Sequence, residues 1–310
     1  MKFVPIIVCG VLLSAAARSQ VTPMDYLPPL PVAKATTIFV PQKDAVTWQM
    51  AEWDIVQKGV GEQTGSRTLI AEGSPGVDKA PQGASKYTAQ SYRYPQGSIR
   101  KLTFKKGDGP VIHQITFETE LLVLQGAVEV ESAGKTVKLE AGDAISYPSG
   151  ILRNPKPKGD TVILQYFVGS KAERPKSQVV RGKDLKLGKT IQYEKNGEWV
   201  TASTPEQHKL APKEAAVFEV KRYAFDGNSI RHALMKKGPR TGPATYPVDI
   251  LIYINKGRMI RHEGDQTFEV KEGDTLREAK GQTGYWEVLE DSEFIASDAP
   301  FDTSRARANP

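Results

Sequence analysis

Short runs of alternating apolar and polar residues dominate the chain from residue 87 onwards. In residues 128–139, valines and a leucine alternate with polar residues on either side of a turn at 133–134. Residues 259–270 repeat this arrangement around a Gly-Asp turn at 264–265. Strand-length runs separated by glycine turns are typical of β-hairpins. The pattern therefore predicts an all-β protein built from short strands.

The pattern occurs twice along the chain. Residues 98–107 read SIRKLTFKKG and residues 229–238 read SIRHALMKKG, an offset of 131 residues. The same offset relates further pairs, namely Tyr92 and Tyr223, Gly126 and Gly257, Gly142-Asp143 and Gly273-Asp274, and Gly150 and Gly281. A constant offset of this kind indicates two copies of one unit. Each copy can therefore serve as a reference for the other.

The length of 310 residues accommodates two domains, each with its own core. The sequence divides into a signal peptide at 1–19, an N-terminal arm with partial strands at 20–86, a first unit at 87–170, a linker at 171–217, a second unit at 218–298 and a C-terminal tail at 299–310. The proline-rich part of the arm, 20–40, is expected to pack across the first unit or a neighbouring subunit.

Two local signals lie in the linker. The run IQYEKNGEWV at 191–200 places Asn196-Gly197 between two strand-like segments, which is typical of a type I′ hairpin turn. The sequence TPEQ at 204–207 has the pattern of a capping box with proline at the first helical position. The linker is therefore predicted to hold a hairpin followed by a short helix.

The first residues have the composition of an export signal. Lys2 gives a positive start, an apolar run extends from Phe3 to Ala17, and Ala17 and Ser19 are small residues at the positions that a signal peptidase reads. The apolar run is too short to span a bilayer comfortably. We expect a mature chain that begins at Gln20, is periplasmic or secreted, and has no membrane partner after cleavage. An uncleaved anchor is the alternative.

Cysteine content and charge exclude several classes of site. Cys9 is the sole cysteine and lies within the signal, so the mature chain is predicted to have no disulfide, no thiolate nucleophile and no cysteine-based metal site. The net charge is +6, with basic residues concentrated in 171–189. Such a run is typical of a solvated linker, and no nucleic-acid-binding motif accompanies it. No nucleic-acid partner is expected.

The spacing of the glycines resembles the two motifs of the cupin family. Gly107 is followed after five residues by His113, and the sequence VLQG ends the first motif at Gly126. Gly142 stands at the expected distance before Pro-Ser-Gly at 148–150, which is similar to the second motif.

The resemblance covers about 87–170 and 218–297. It implies a bicupin, that is, two tandem cupin barrels, each a double-stranded β-helix of the jelly-roll type. It also implies barrels that face each other within one chain, a small-molecule ligand as partner, and a homodimer as a further assembly.

The positions of the metal ligands depart from the family pattern. Metal-binding cupins hold a divalent ion with two His and one Glu from the first motif and one His from the second. At these positions the first unit has His113, Ile115, Thr119 and Arg153, and the second has Ala244, Tyr246, Ile250 and Gly284. A metal needs three or four N, O or S donors. We therefore expect no metal cofactor. A bulge that shifts the register could recruit Glu118 or Glu120, but histidine and glutamate would still supply only two protein donors.

His113 and Arg153 are the candidate catalytic residues. His113 can act as a general base or as a hydrogen-bond donor to a ligand, because its pKa lies near neutrality. A structural imidazole inside the barrel is the alternative. The Arg153 guanidinium requires a partner when buried. That partner is either Glu118 or Glu120, or the carboxylate or phosphate of a ligand.

Arg100 and Tyr147 complete the predicted ligand-binding set with Glu118 and Glu120. Arg100 and Arg231 occupy the same position in the two copies. Retention in both copies favours a structural role for these arginines, such as an ion pair with a neighbouring strand. A duplicated anion-binding role is the alternative.

Three functions fit these residues. The first is an exported, metal-independent protein that binds a small anionic or sugar-like molecule in the first barrel. The second is an enzyme, either a metal-free isomerase or lyase that uses His113 as base, or an oxygenase with an atypical metal site. The third is a structural module with two closed cores. The fold alone does not decide between them.

Overall fold

A computed structural model describes residues 37–53, 66–71, 85–94, 97–106, 113–114, 118–132, 134–148, 152–153, 155–168 and 176–298. The predicted signal peptide, most of the N-terminal arm and the C-terminal tail lie outside these residues. Among the residues that are described, no helix has both the length and the apolar character needed to cross a membrane.

The described chain is almost entirely β-strand. Before residue 170 the strands are β1 Ile38–Val40, β2 Val46–Trp53, β3 Ser66–Ala71, β4 Ser85–Tyr94, β5 Gly97–Phe104, β6 His113–Gln114, β7 Glu118–Gln125, β8 Ala127–Ser132, β9 Lys135–Glu140, β10 Ala144–Tyr147, β11 Leu152–Arg153, β12 Lys156–Pro157 and β13 Thr161–Val168. After residue 175 they are β14 Gln178–Val180, β15 Gly188–Lys195, β16 Glu198–Ala202, β17 Ala216–Ala224, β18 Ser229–Met235, β19 Ala244–Thr245, β20 Ile250–Lys256, β21 Arg258–Glu263, β22 Gln266–Lys271, β23 Thr275–Glu278, β24 Thr283–Val288 and β25 Ser292–Asp298. Helix α1 spans Pro205–His208, and single 3₁₀ turns span Gln42–Asp44 and Gly182–Asp184.

The strands form two copies of one topology. One eight-stranded sheet has the order β14-β10-β7-β13-β5-β4-β2-β3, and the other has the order β1-β23-β20-β25-β18-β17-β15-β16. The first sheet packs against the sheet β12-β8-β9, and the second against β19-β24-β21-β22. Each half is therefore a sandwich of antiparallel sheets closed into a barrel. The prediction of two tandem jelly-roll barrels is confirmed.

The predicted local elements of the linker are also observed. Strands β15 and β16 pair around Asn196, with φ 54°, and Gly197, with φ 83°, as a type I′ turn requires. At the start of α1, the Thr204 side chain accepts a hydrogen bond from the Gln207 backbone, and the Gln207 side chain accepts one from the Thr204 backbone. The β15–β16 hairpin extends the second sheet just as β2–β3 extends the first. The structural repeat is thus longer than the sequence repeat.

Two short strands are exchanged between the barrels. Strand β1 precedes the β2–β3 hairpin of the first barrel but pairs with β23 of the second, and β14 precedes the equivalent β15–β16 hairpin of the second barrel but pairs with β10 of the first. The expectation that the arm packs across the first unit or a neighbouring subunit is therefore wrong for Ile38–Val40. A three-residue strand has too few side chains for the sequence to indicate its partner. Its pairing depends on the free backbone hydrogen-bonding edge of β23 in the second barrel.

The repeated Gly-Asp pairs anchor the exchanged segments. Oδ1 of Asp274 accepts a hydrogen bond of 2.8 Å from the Gln42 backbone N–H, and Oδ1 of Asp143 accepts one of 3.0 Å from the Gly182 backbone N–H. Their Oδ2 atoms accept backbone hydrogen bonds within their own turns. Gly182 lies so close that a Cβ there would be 2.0 Å from the carbonyl oxygen of Gly142. Both exchanged segments are therefore held by the same type of hydrogen bond, from a backbone N–H group to an aspartate of the partner barrel's turn.

The described residues form three large apolar cores and one small cluster at the β15–β16 hairpin. One fills the first barrel, one fills the second, and a third lies between the barrels and draws residues from both. Tyrosines cross this third core: the hydroxyl of Tyr92 donates to the Gly273 carbonyl at 2.7 Å, and that of Tyr166 donates to the Ile295 carbonyl at 2.8 Å. The two barrels thus share a buried and hydrogen-bonded interface.

Candidate functional site

The interior of the first barrel changes from apolar to polar towards one end. Leu102 and Phe104 of β5 lie in the barrel core, and Arg100 is the next residue on the same face. On β4, Tyr87 and Ala89 lie in that core, and Arg93 continues their face. Because successive side chains of a strand alternate between faces, both arginines project towards the barrel interior.

Neutral polar and aromatic residues complete this end, which we call the first-barrel end (Arg93, Arg100, Thr119, Tyr147, Gln165 and Phe167). Thr119 lies opposite Tyr147 on one side and opposite Phe167 on the other, and Gln165 lies opposite Arg100. Thr119, Tyr147 and Gln165 are fully buried. The Arg100 guanidinium stacks over the Phe167 ring at 4.3 Å from its centroid. The guanidinium of Arg100 thus lies against an aromatic ring at the polar end of the barrel.

The two predicted catalytic residues are brought together. Strands β6 and β11 form an antiparallel pair in which His113 is the register partner of Arg153. Residues 40 positions apart in the sequence thus stand opposite each other in a two-stranded ladder. This juxtaposition is what a shared site requires, while the roles of His113 and Arg153 in binding or catalysis stay predictions.

Glu118 and Glu120 face the second barrel. They alternate on β7 with Thr119 and Leu121, whose face is the first-barrel interior. Oε1 of Glu118 accepts a hydrogen bond of 3.1 Å from Nδ2 of Asn228, and Oε2 of Glu120 accepts one of 2.7 Å from the Ser297 hydroxyl. The register shift that would turn either glutamate inwards is thus absent at these described positions.

The buried position of Glu120 alters its ionisation. Burial raises the pKa of Glu120 to about 8, and the hydrogen bond from Ser297 only partly opposes this effect. Of the four predicted ligand-binding residues, Arg100 and Tyr147 therefore belong to the first-barrel end, whereas Glu118 and Glu120 belong to the interface between barrels. The ligand-binding role of all four stays a prediction.

The equivalent arginine of the second barrel has different neighbours. Arg231, the counterpart of Arg100, lies 3.5 Å from Oδ1 of Asp298 on the neighbouring strand β25. Its guanidinium also lies over the Tyr246 ring, 5.2 Å from the centroid. The predicted structural ion pair is thus confirmed for Arg231. In the first copy, Phe167 stands at the position of Asp298, so Arg100 has an aromatic face there in place of a carboxylate.

A buried charged group, which we call the second-barrel cluster (Arg261, Glu263, Glu278 and Tyr246), lies inside the second barrel. Nε of Arg261 lies 3.0 Å from Oε1 of Glu278, and Nη2 lies 3.9 Å from Oε2 of Glu263. The first contact lacks the angle of a directed hydrogen bond, so we describe it as an ion pair. Burial raises the pKa of Glu278 to about 7, and Arg261 opposes this effect. Burial likewise raises the pKa of Tyr246.

Gly284 makes room for this arginine. A Cβ at position 284 would stand 2.7 Å from Cζ of Arg261 and 2.3 Å from the His262 carbonyl oxygen. Position 284 is where the family resemblance places the second-motif ligand, so the guanidinium fills the space beside it. Arg261 also lies 5.4 Å from the Trp286 ring centroid, which closes the other side.

The residues at the resembled metal positions do not fit a divalent ion. In the second barrel, Ile250 is buried and apolar, and Gly284 has no side chain. In the first, Thr119 stands buried where the motif has Glu. Across the described ranges, no group of three His, Cys, Asp or Glu side chains is arranged to hold a metal. The expectation that the protein works without a cofactor stays a prediction.

Two parts of this arrangement were missed by reasoning from sequence alone. Arg93 has Ala224 as its counterpart, and Arg261 has Val130. Comparing the copies position by position reveals Arg261, because a charge that replaces a buried valine must be accommodated in a core. Ala224 is exposed, so the offset of 131 residues gave no such signal for Arg93.

The architecture resembles solved structures. The chain is similar to AerE from Microcystis aeruginosa, with 9% identity, a TM-score of 0.52, and coverage of 68% of this chain and 91% of AerE. It is similar to oxalate decarboxylase from Bacillus subtilis, with 12% identity, a TM-score of 0.50, and coverage of 69% and 72%. A cupin 2 conserved barrel domain protein from Leptotrichia buccalis has 11% identity, a TM-score of 0.40, and coverage of 68% and 88%.

No family model matches the sequence, and no curated protein matches it. At identities this low, the likeness to solved structures shows the fold alone. Together with the duplicated sheet order, it shows that the chain has the fold of a cupin with two tandem barrels.

Proposed function

We propose that the protein is an exported, metal-independent cupin that binds a small organic anion in its first barrel. The observation that carries this proposal is the exchange of carboxylates for neutral residues between equivalent positions. Glu278 and Asp298 accompany Arg231 in the second barrel, whereas Tyr147 and Phe167 occupy their positions in the first. The side chains at these two positions therefore differ between the barrels in charge, and we infer that a ligand carboxylate binds beside Tyr147 and Phe167 of the first.

The chemistry of the first-barrel end suits a compact anion with an organic body. Guanidinium groups recognise carboxylates through two parallel hydrogen bonds. Arg100 lies on the interior face, and the β6–β11 pair adds Arg153 and His113 from the adjoining ladder. Thr119 and Tyr147 offer hydroxyl groups. We assign the binding of the anion to Arg100 and Arg153, and its orientation to His113 and Tyr147.

Enzymatic turnover is the second candidate, and the pairing of His113 with Arg153 favours it. An imidazole can remove a proton from carbon while a guanidinium stabilises the negative charge that develops on the neighbouring carboxylate or enolate. An isomerase or a lyase needs no further group for this step. A protein that only binds would retain the ligand unchanged.

Calorimetric titration of the mature chain with oxalate, malonate, succinate, inorganic phosphate and glucose tests the proposal. We expect micromolar to millimolar binding of one or more carboxylates, none of glucose, and a loss of at least about tenfold in affinity for Arg153→Gln. The matched control is Arg240→Gln, which removes a half-exposed arginine of the second barrel.

Two outcomes would contradict the binding proposal. One is the absence of binding for every carboxylate at millimolar concentration, and the other is equal affinity in Arg153→Gln and wild type. Proton NMR of the same mixtures separates the two candidates, because only an enzyme converts the bound anion. Turnover that His113→Ala abolishes, with binding retained, would favour the enzyme.

A further inference from the structure

A row of buried polar side chains crosses the interface between the barrels, and we call it the interbarrel chain (Ser146, Glu118, Glu120, Asn228 and Ser297). The Ser146 hydroxyl and the Asn228 amide both donate to Oε1 of Glu118, at 3.4 Å and 3.1 Å. The Ser297 hydroxyl donates to Oε2 of Glu120 at 2.7 Å. Two carboxyl groups of the first barrel thus meet neutral polar groups of the second.

Two acceptor atoms of the interbarrel chain have no donor. Oε1 of Glu120 and Oδ1 of Asn228 are both buried, and neither has a hydrogen-bond partner in the part of the chain that the structure describes. Asn228 lies close enough to Glu120 to affect its ionisation. Because Nδ2 of Asn228 is directed at Glu118, Oδ1 is the amide atom that remains for Glu120. A buried acceptor without a donor is costly, and one proton on Oε1 of Glu120 would satisfy both oxygens.

The surroundings of Glu120 favour its protonated form. The ionisable side chains that face it are Glu118 on its own strand β7, Tyr166 on β13 and Asp298 on β25, which itself contacts Arg222 and Arg231. None of the three facing groups is basic. Burial raises the pKa of Glu120 to about 8, and the charge of Asp298 adds to this effect, so the carboxyl group is mostly protonated at neutral pH.

The other half of the interface is built without a shared proton. The positions equivalent to the two glutamates have Asp249 and Leu251. Oδ2 of Asp249 accepts a hydrogen bond of 2.8 Å from Arg277, and Leu251 lies in the shared apolar core. Gly97 is the counterpart of Asn228, and a Cβ at Gly97 would stand 3.2 Å from Leu251. An ion pair and an apolar contact thus occupy the places that the interbarrel chain has in the first half.

We infer that Glu120 is a proton-dependent latch between the barrels, in which Oε1 carries a proton and donates it to Oδ1 of Asn228 while Oε2 accepts from Ser297. Loss of this proton at alkaline pH removes the donor and leaves two acceptors facing each other in a buried interface. The contact between the barrels is then weaker. The inference concerns the interface and is independent of the ligand proposed for the first barrel.

A double-mutant cycle across the interface tests the latch. Urea unfolding of wild type, Glu120→Ala, Asn228→Ala and the double variant gives the coupling between the two side chains, and it is measured at about pH 5.5 and about pH 9.5. We expect a coupling of about 3- to 10-fold in the unfolding equilibrium constant at the lower pH, the size of one hydrogen bond, and about 2-fold or less at the higher pH. The control cycle, Asp249→Ala with Arg277→Ala, should give the same coupling at both pH values because that pair shares no titrating proton.

Infrared spectroscopy observes the proton itself and needs a single conservative variant. The difference spectrum of wild type minus Glu120→Gln should contain the carbonyl band of one protonated carboxyl group at about pH 7 and lose it at about pH 9.5. Protonated Glu278 is common to both proteins and cancels in the difference. Glutamine keeps the size of the side chain and a donor for Asn228, so Glu120→Gln is expected to fold even where an alanine variant does not.

Either of two results would overturn the inference. The first is a coupling that is equal or stronger at the higher pH, because the Asn228 amide would then donate to an ionised Glu120. The second is a difference spectrum at pH 7 without the acid band. Neither measurement includes a ligand, so failure of this inference is distinguishable from failure of the proposed function.

Discussion

The two barrels have the same order of strands, yet the residues that lie next to their interior arginines differ. In the second barrel, Arg231 and Arg261 have carboxylates from the same chain within ion-pair distance. In the first, the positions that correspond to Glu278 and Asp298 are taken by Tyr147 and Phe167. A duplicated fold can thus place carboxylates at interior positions of one copy and aromatic residues at the same positions of the other, so the two interiors can differ in the ligands that they would accept.

The interface between the barrels shows the opposite asymmetry. The first barrel contributes Glu118 and Glu120, whereas their counterparts are Asp249 and Leu251. Leu251 lies in the shared apolar core, while Glu120 is fully buried and hydrogen-bonded to Ser297. A buried carboxyl group therefore lies inside the barrel in the second copy, at Glu278, and at the interface in the first, at Glu120.

The largest expected effect comes from breaking the ion pair inside the second barrel. Arg261→Ala removes the main cationic partner of the buried Glu278, leaves only its weaker interaction with Arg231, and should cost about 3–5 kcal/mol of unfolding free energy, the range for disrupting a buried pair. Val130→Ala, at the equivalent position of the first barrel, removes only apolar bulk and should cost about 1–3 kcal/mol. Urea unfolding at pH 7 measures both. Equal losses would mean that Arg261 matters only for packing.

A pH-dependent effect of intermediate size is expected at the interface. The pKa of Glu120 is raised to about 8 in the folded protein from an ordinary value of 4.5. The folded state therefore binds a proton that the unfolded state releases between these values, and the stability contribution present below pH 4.5 is lost as pH rises to about 8.

Glu120→Gln removes this titration and keeps the bond to Ser297. Relative to wild type, the variant should gain stability steadily from pH 5 to pH 8, on the order of 3 kcal/mol in total, and no more above pH 9. Glu140→Gln, on an exposed strand residue, is the control and should show no such gain. A pH-independent difference for Glu120→Gln would show that Glu120 is ionised throughout.

The next expected effect concerns the exchanged strands. Asp143→Ala and Asp274→Ala each remove two hydrogen bonds to backbone N–H groups and should each cost about 2–3 kcal/mol. Asp143→Ala also removes the contact of 2.7 Å with Arg181, so its loss should be slightly larger. Denaturant unfolding measures the difference, and Asp160→Ala, an exposed position, is the control. Two variants as stable as wild type would mean that strand pairing alone holds the exchange.

Much of the fold could be predicted from the sequence, because hairpin turns and repeats leave local signals. Asn196-Gly197 predicts its turn because both residues tolerate the left-handed backbone. The orientation of Glu118 and Glu120 could not be predicted in the same way. Alternation places them on one face of β7, but Leu121 and Leu122 are both buried, so both faces are interior and the pattern does not say which one is the barrel.

The candidate site also has one part that the sequence predicts and one part that it does not. The opposition of His113 and Arg153 follows from motif spacing and is observed in the β6–β11 pair. The second-barrel cluster depends on side chains from strands β21 and β23, on Tyr246 just after β19, and on Thr37 from the exchanged segment, which are distant in sequence. Their convergence is a tertiary property, and only the comparison of the two copies points to it beforehand.

The smallest expected effect would sharpen the assignment of ligand binding to the first barrel. Arg100→Lys keeps the charge but removes the planar fork and the stacking over Phe167, so the affinity for the best carboxylate should fall about 5- to 20-fold, equivalent to about 1–2 kcal/mol. Arg231→Lys, at the same position of the second barrel, should leave affinity unchanged because that cation faces Asp298. Calorimetric titration of the two variants gives the comparison directly. A larger loss for Arg231→Lys than for Arg100→Lys would place the ligand in the second barrel and reverse the roles assigned to the two copies.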